Sequence, residues 1–345
     1  MALTLHVDAA RWRRHLKSIV EPDGVTVVPV SKGNGYGFGN ATLASEAFSL
    51  GAGTLAVGTY EEIDDVSGTF TGDILVLSPW RPWLETPVDD ERVVHTVSRL
   101  ADLRALAERG GRPRVVVEVL TSMRRHGVGP DELEAVGEAL EDVRLEGFAL
   151  HLPLGGDHAE EAHRLGSLAL DTAPSSVPRT LWVSHLTPAA ASVLATQTDA
   201  EVRLRVGSAL WLGDRGALSA RGTVLDVHRI RRGDQYGYRQ RRARRNGRLV
   251  VVGGGTAHGI ALQAPSPVTG ARQRLVTAAK GGLEATGRAL SPFRVEGKQR
   301  WFAEPPHMQC SMIWLPDDVR SPSPGDELEV DVRFTTTTFD RVTFR

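Results

Sequence analysis

A parallel (β/α)8 TIM-like barrel followed by an antiparallel β domain is the α/β plus β architecture that this sequence predicts. Three observations carry the prediction. Eight short Val- and Leu-rich runs alternate with amphipathic stretches between residue 25 and about residue 225. The runs are almost continuously apolar, as strands covered on both faces must be. Beyond about residue 225 helical patterns nearly vanish, while spaced strands with Gly and Pro turns continue. The domains expected are therefore 1–225, the barrel, and 226–345, the β domain, with the C-terminal domain as the alternative partner of the first strand. A chain of 345 residues is long enough for one barrel-sized core and a smaller second one.

Taken in order, "VTVVPV" precedes the helical "ATLASEAFSLG", "TLAVGT" precedes "YEEIDDV", and "DILVLS" stands alone before a Pro-Trp turn. "VVHTVS" precedes "RLADLRALAERG", "RVVVEVL" precedes "DELEAVGEALED", and "LEGFALHL" precedes "AEEAHRLGSLALDTA". "TLWVSHL" precedes "TPAAASVLATQ", and "EVRLRVGSALW" is the eighth run. Eight strands in this alternation fit a closed barrel better than an open doubly wound sheet. The later strands are "GTVLDVHRI", "DQYGYRQ", "GRLVVVGGG", "QRWFAEP", "QCSMIWLP" and "DELEVDVRF".

Composition narrows the partners. Forty-one Lys and Arg against 42 Asp and Glu give a net charge of -1, which does not call for nucleic acid. The basic run at residues 229–248 reads as a solvated hairpin rim. No apolar run approaches the roughly 20 residues that span a bilayer. The N-terminus lacks the ordered regions of a signal peptide, so a cytoplasmic protein is expected. The single Cys310 excludes an intrachain disulfide.

The chemistry concentrates in "SKGNGYGFG", residues 31–39. A nucleotide P-loop places its lysine after the glycines, whereas Lys32 precedes them, and Phe38 and Asn40 spoil the dinucleotide pattern G-x-G-x-x-G in either frame. What remains is a lysine at the C-terminal end of the first barrel strand, the face on which barrel enzymes place catalytic groups. A partly desolvated amine there can form an imine with an aldehyde such as pyridoxal 5'-phosphate, PLP. On position alone a solvated surface lysine is the commoner reading, and position does not decide it.

The stretch from Val28 to Gly39 resembles the PLP-lysine segment of the alanine racemase family, in which a strand ends in Lys, Tyr follows four residues later and Gly-x-Gly comes next. The resemblance continues in order along essentially the whole chain. "VVVEVLTSMRRHGV" is similar to the family's Thr-Gly-Met-Gly-Arg-x-Gly strand ending, with Met123, Arg125 and Gly127 in place. It implies that Lys32 carries PLP, that Tyr36 and Thr187 bind its phosphate with the amides of Gly207 and Ser208, that His151 packs on the pyridine ring and that Arg205 faces the ring nitrogen. It also implies Tyr236 as a second catalytic base reaching the site from a second subunit, hence a head-to-tail homodimer. Arg125 would hold the cofactor's phenolic oxygen or the substrate carboxylate, and Met308 would stand at the end of the amino-acid substrate. Each residue has a plainer reading as well: Thr187 in "HLTPAAA" suits an ordinary helix N-cap, and His151 an interior histidine.

Departures from the family pattern bear on the substrate. Glu118 stands where many members have a lysine and is expected to brace Arg125. Leu120 replaces an Asp, Arg124 a Gly and Gln309 an Asp; Thr256 and Phe339 stand where two tyrosines narrow the family's pocket. The resemblance therefore implies a racemase interconverting L- and D-amino acids. Two alternatives stand beside it. One is a metal-assisted PLP lyase or dehydratase using His307, Cys310 and His258. The other is a PLP-binding relative with lost or altered activity in amino-acid or cell-wall metabolism.

Overall fold

The valine-rich runs pair in sequence order and close on themselves. A computed structural model describes residues 2–21, 24–84, 86, 90–175, 177, 179–262 and 289–345. The chain begins with β1 (Leu3–Val7) and α1 (Ala9–Val20). There follow β2 (Thr26–Ser31), α2 (Asn40–Ser49), β3 (Thr54–Val57), α3 (Ile63–Ser67), β4 (Asp73–Val76), β5 (Val93–Val97) and α4 (Leu100–Ala107). The series continues with β6 (Arg114–Val119), α5 (Leu133–Glu138), β7 (Arg144–His151), α6 (Ala159–Thr172), β8 (Thr180–Ser184), α7 (Pro188–Thr198), β9 (Glu201–Val206) and α8 (Ser208–Leu212). Strands β2 to β9 form a closed barrel, every neighbouring pair parallel, and β9 returns to β2.

Because side chains alternate along a strand, the barrel's filling fixes what its mouth displays. Val28, Val30, Ala56, Leu75, Val94, Val116, Ala149 and Trp182 pack together inside. Paired residues of parallel strands face the same way: Glu118 pairs with Ala149, which pairs with Trp182, and Val28 pairs with Arg205, which pairs with Ser184, which pairs with His151. Lys32 follows Val30 by two. Thus Lys32, Glu118, His151 and Arg205 share the inward register at the C-terminal end.

Helix α6 shows how the outer layer is held. It buries Ala162, Leu165, Gly166, Ala169 and Leu170, a stripe at three- and four-residue spacing, and its first turn carries Glu160 and Glu161 where the helix dipole favours anions. Burying a side chain such as Leu165 contributes about 2 kcal/mol. Alanine at Gly166 would set a Cβ 2.8 Å from Leu181, so the helix approaches the barrel only there with no side chain. Among the described residues no helix bridges β4 and β5. Trp80 plugs that link at 0% exposure, and Arg81 pairs with the buried Asp102 at 2.8 Å.

The chain divides into two compact units, one of Arg13–Gly35 and Gly39–Gly213, the other of Met1–Trp12, Tyr36–Phe38 and Asp214–Arg345. The second unit holds β10 (Leu218–Ile230), β11 (Gln235–Tyr236), β12 (Arg241–Arg242), β13 (Gly247–Gly253), β14 (Leu290–Val295), β15 (Lys298–Phe302), β16 (Cys310–Leu315), β17 (Glu327–Val330) and β18 (Arg341–Phe344), together with β1. Its main sheet runs β13-β16-β15-β14-β17-β10-β1-β18, and a further β10–β13 pairing curls six strands into a ring. Leu3, Val224, Val250, Val252, Phe293 and Ile313 fill its core.

A boundary after residue 225 would cut β10 in mid-strand; the division falls at Gly213/Asp214 instead, because β10 is one hydrogen-bonded strand from 218 to 230. Strand β1 pairs antiparallel with β10 and parallel with β18, so residues 1–12 belong to the β unit. Among the described residues no helix is long and apolar enough to cross a membrane.

Candidate active site

Lys32 leaves the end of β2 on a turn that its neighbours hold from several sides. Ser31 Oγ donates to Asn40 Oδ1 at 2.8 Å, and Asn40 Nδ2 donates to the Gly33 carbonyl at 3.2 Å and to Asp65 at 3.1 Å. Glu62 accepts the amides of Gly33 and Gly58, each at 2.6 Å, so one carboxylate clamps the residue after Lys32 to the end of β3. The glycines are steric requirements. Gly33 and Gly35 have φ of 60 and 57, and a Cβ on Gly35 would stand 2.6 Å from the Asn40 nitrogen. A Cβ on Gly58 would stand 3.0 Å from that of Lys32.

The mouth around Lys32 is cationic. Lys32 is open to solvent, yet enough protein surrounds its stem and amine to lower its pKa: desolvation is the largest cause, repulsion from Arg125 and Arg205 adds to it, and Glu62 opposes it. Arg205 is 6% exposed; its Nη2 donates to the Leu150 carbonyl at 3.1 Å, while its Nε is buried with no hydrogen-bond partner. Burial brings its pKa down to about 10, with Glu118 opposing, so it stays a cation at neutral pH.

Glu118, 3% exposed, has its Oε2 buried without a partner. Burial raises its pKa against the pull of Arg205, Arg125 and Arg81. The expected brace is therefore through space. Among the described residues no ion pair joins Glu118 to Arg125, which is exposed on the loop after β6. That loop is pinned by Ser122, whose amide and hydroxyl both bind Glu161, and by Gly127, where a Cβ would collide with Leu120.

His151, ending β7, has its pKa lowered to about 3, first by burial and then by Arg205, Arg125, His185 and Lys32. It is therefore neutral at physiological pH. Its ring meets His185 edge-on at 5.0 Å. His185 Nδ1 lies 2.7 Å from the Leu152 carbonyl, which can only accept, so Nδ1 carries the hydrogen. Sequence reasoning did not single out His185 or Glu62. The signal for His185 was its place directly after β8, at the same barrel end as Lys32.

Thr187 caps α7, its Oγ1 accepting the Ala190 amide at 3.1 Å with Pro188 at the first helical position. The ordinary capping role is thus present. Gly207 and Ser208 begin α8 at the end of β9, on the same face.

Other residues given roles by resemblance lie in the β unit. Tyr36 is 6% exposed with φ 54, a left-handed conformation unusual for a side-chain-bearing residue. Tyr236 on β11 tilts over Trp314 at 6.2 Å, and Met308 is 69% exposed. The proposed metal trio does not assemble. His258 uses one ring nitrogen to accept the Gly255 amide and sets the other 3.2 Å from Asp340, while His307 bonds Glu304 at 2.6 Å and faces Cys310 at 3.9 Å. Among the described residues there is no cluster of three metal-ligating side chains.

A parallel barrel whose C-terminal mouth gathers an amine of lowered pKa, two arginines and a neutral histidine, followed by an all-β unit, defines a class: two-unit proteins whose (β/α)8 barrel sets a lysine in a cationic mouth. More narrowly, the chain belongs to the alanine racemase family, since the family model described as "Alanine racemase, N-terminal domain" matches residues 7–214. The alanine racemase of Desulfovibrio desulfuricans is 33% identical over 178 residues, covering 48% of this chain and 47% of that protein, so the match spans about half the relative's length. That of Mycobacterium tuberculosis is 27% identical over 264 residues, 67% of each chain.

Among solved structures, alanine racemase from Bartonella henselae with covalently bound pyridoxal phosphate aligns over 100% of both chains with a TM-score of 0.73 and 15% identity. Histidine racemase from Leuconostoc mesenteroides subsp. sake aligns over 95% of this chain and 87% of its own, with a TM-score of 0.67 and 18% identity. At such identities the likeness is one of fold.

Proposed function

We propose that this protein is a PLP-dependent amino-acid racemase, alanine racemase-like, working in the cytoplasm as a homodimer in which Lys32 and the partner subunit's Tyr236 serve opposite faces of the substrate. The observation that carries the proposal is the pairing of Lys32, its amine partly desolvated, with Arg205, whose buried Nε has no partner in the protein. A buried donor left unsatisfied costs about 1–3 kcal/mol, and an aromatic ring nitrogen is an acceptor that would relieve it. The residues present thus fit the cofactor.

Lys32 would hold PLP covalently, Tyr36, Thr187, Gly207 and Ser208 its phosphate, and His151 its ring face. Bound PLP supplies the electron sink that makes a substrate Cα–H acidic. Arg205, cationic at neutral pH, can only donate toward the ring nitrogen and so disfavours its protonation. His151, neutral down to about pH 3, adds packing without a competing proton. Lys32 is made available as a proton acceptor by its surroundings: desolvation first, and then two nearby guanidinium groups, lower its pKa, so the uncharged amine forms at a lower pH than in water. The Tyr236 hydroxyl would give or take the proton on the other face, and Arg125 would orient the substrate carboxylate with Met308 at the substrate end.

Alanine is the default substrate. Thr256 and Phe339 in place of tyrosines favour larger side chains as well, and a structure of the same fold is a histidine racemase. The test is a chiral assay of the PLP-loaded protein over a panel of L-amino acids, with borohydride reduction and peptide mapping of the attached cofactor. The expected result is the D-product from at least one of them and a label on Lys32. A label without product from any amino acid overturns the racemase; a label elsewhere overturns the role of Lys32.

A further inference from the structure

We infer that Glu304 is the positioning residue of the turn that carries Tyr236, an inference that rests on the racemase reading above. Glu304 follows β15 and is 4% exposed. Both oxygens are engaged: Oε2 accepts the Tyr238 amide at 2.9 Å, and Oε1 meets His307 Nε2 at 2.6 Å. Since an ionised carboxylate only accepts, Nε2 carries the hydrogen, and Nδ1 faces the Cys310 thiol, 3.9 Å away. Hydrogen bonds to a carboxylate are roughly twice as strong as neutral ones. That is how a buried carboxylate is tolerated here.

The turn is shaped around this group. Gly237, between Tyr236 and Tyr238, has φ 71, and a Cβ there would collide with Glu304 Oε2. Only glycine lets the backbone lie against the carboxylate. On the other side of the turn the Tyr236 ring rests in an apolar cluster of Ile230, Ala243, Leu249 and Ala303. The packing fixes the ring's body, and Glu304 fixes the main chain two residues on. The same carboxylate holds His307, whose ring lies 4.6 Å from that of Tyr238 and whose next residue is Met308. One buried side chain therefore ties the segment of the second base to the segment of the proposed substrate contact.

The test uses PLP-loaded wild type, Glu304→Ala, Glu304→Gln and, as reference, Tyr236→Phe. Two quantities are read in each: hydrogen exchange of backbone amides in residues 235–242, and solvent deuterium entry at Cα from each hand of the amino acid. Losing a charge-assisted bond in Glu304→Ala speeds amide exchange in the turn roughly tenfold or more. Cα exchange falls about 100-fold or more for the hand that Tyr236→Phe silences, and stays within about threefold for the hand served by Lys32. Glu304→Gln falls between, because its amide oxygen still accepts the Tyr238 N–H.

Unchanged amide exchange in Glu304→Ala overturns the inference, as does a loosened turn with full Cα exchange from both hands. An equal fall from both hands also overturns it, since that is the signature of general damage. Wild type that exchanges neither hand overturns the racemase reading and, with it, the catalytic half of this one. An unloosened turn in Glu304→Ala, with wild type active toward both hands, overturns this inference alone.

Discussion

Two turns carry the two proposed bases, and they are built differently. The Lys32 turn sits on a closed barrel and is held by Asn40 and Glu62, from two neighbouring segments, with Asp65 fixing Asn40 in turn, and its glycines take conformations few other residues adopt. The Tyr236 turn lies in an arginine-rich hairpin whose flanks are largely exposed, and one buried carboxylate holds its main chain. The barrel gives redundancy. The hairpin depends on one distant residue, so single substitutions should act locally on one turn and on one face of the reaction.

The largest effect belongs to Lys32. In Lys32→Ala the covalent attachment and one base vanish together, and racemisation should drop by about 10⁴ or more. Reduction with borohydride should leave no cofactor on the chain. A variant that still races at a hundredth of the wild-type rate would break the comparison, since the better-anchored turn would then matter less. Next comes Tyr236→Phe, which keeps the ring in its apolar cluster and removes only the hydroxyl. It should lower racemisation by roughly 10²–10⁴ while the Lys32 label persists; full retained activity would remove Tyr236 from the mechanism.

This contrast also explains what the sequence made legible. All eight barrel strands were readable, because parallel strands buried on both faces leave an apolar signature within a few residues. The strand pairing then turns Lys32, Glu118, His151 and Arg205 inward, which the sequence had only by resemblance. What was not readable depends on partners far along the chain. The C-terminal domain was an alternative partner for the first strand, but nothing within "LTLHV" fixes the register in which β1 pairs Leu3 with Gly222 and Thr4 with Arg341. Glu62 and Glu304 look like ordinary surface carboxylates until their amide partners, Gly33 and Tyr238, are known. Strand β18 was missed for a related reason, since it is short and takes its place beside the distant β1; β14, whose hairpin with β15 is broken by a register shift, was missed as well.

Acid offers a subtler separation of the two units. His95 on β5 is 1% exposed, bonded to Tyr60 at 2.8 Å, and burial lowers its pKa from 6.5 to about 4, with Arg109 adding to the effect. The folded-state pKa lies below the unfolded one, so as pH falls the unfolded chain takes up the proton first. His95 is neutral in both states above about pH 7 and costs nothing there. Between 6.5 and about 4 the barrel loses stability progressively, up to about 3 kcal/mol from this group. Denaturation followed from pH 7 to pH 4 should show that decline, and His95→Gln, though less stable at pH 7, should show a flatter one. Equal slopes in the two proteins would remove His95 as the source.

The smallest effect is expected at Thr187, where structure and proposed chemistry make separable claims. As an N-cap, its hydroxyl accepts the Ala190 amide, and Thr187→Ala should cost about 1 kcal/mol, a fall of roughly 2–4 °C in Tm for a unit of this size. That cost should be the same with and without PLP if capping is the whole role. A hydroxyl that also binds the cofactor phosphate adds a second loss, seen only in the loaded protein. The affinity for PLP should then fall about tenfold, the value of one hydrogen bond to a charged group, and the gap in Tm between variant and wild type should widen on loading. Thr187→Ser restores both contacts in that case. A gap that stays constant on loading assigns Thr187 to the helix alone and leaves the phosphate to Tyr36, Gly207 and Ser208.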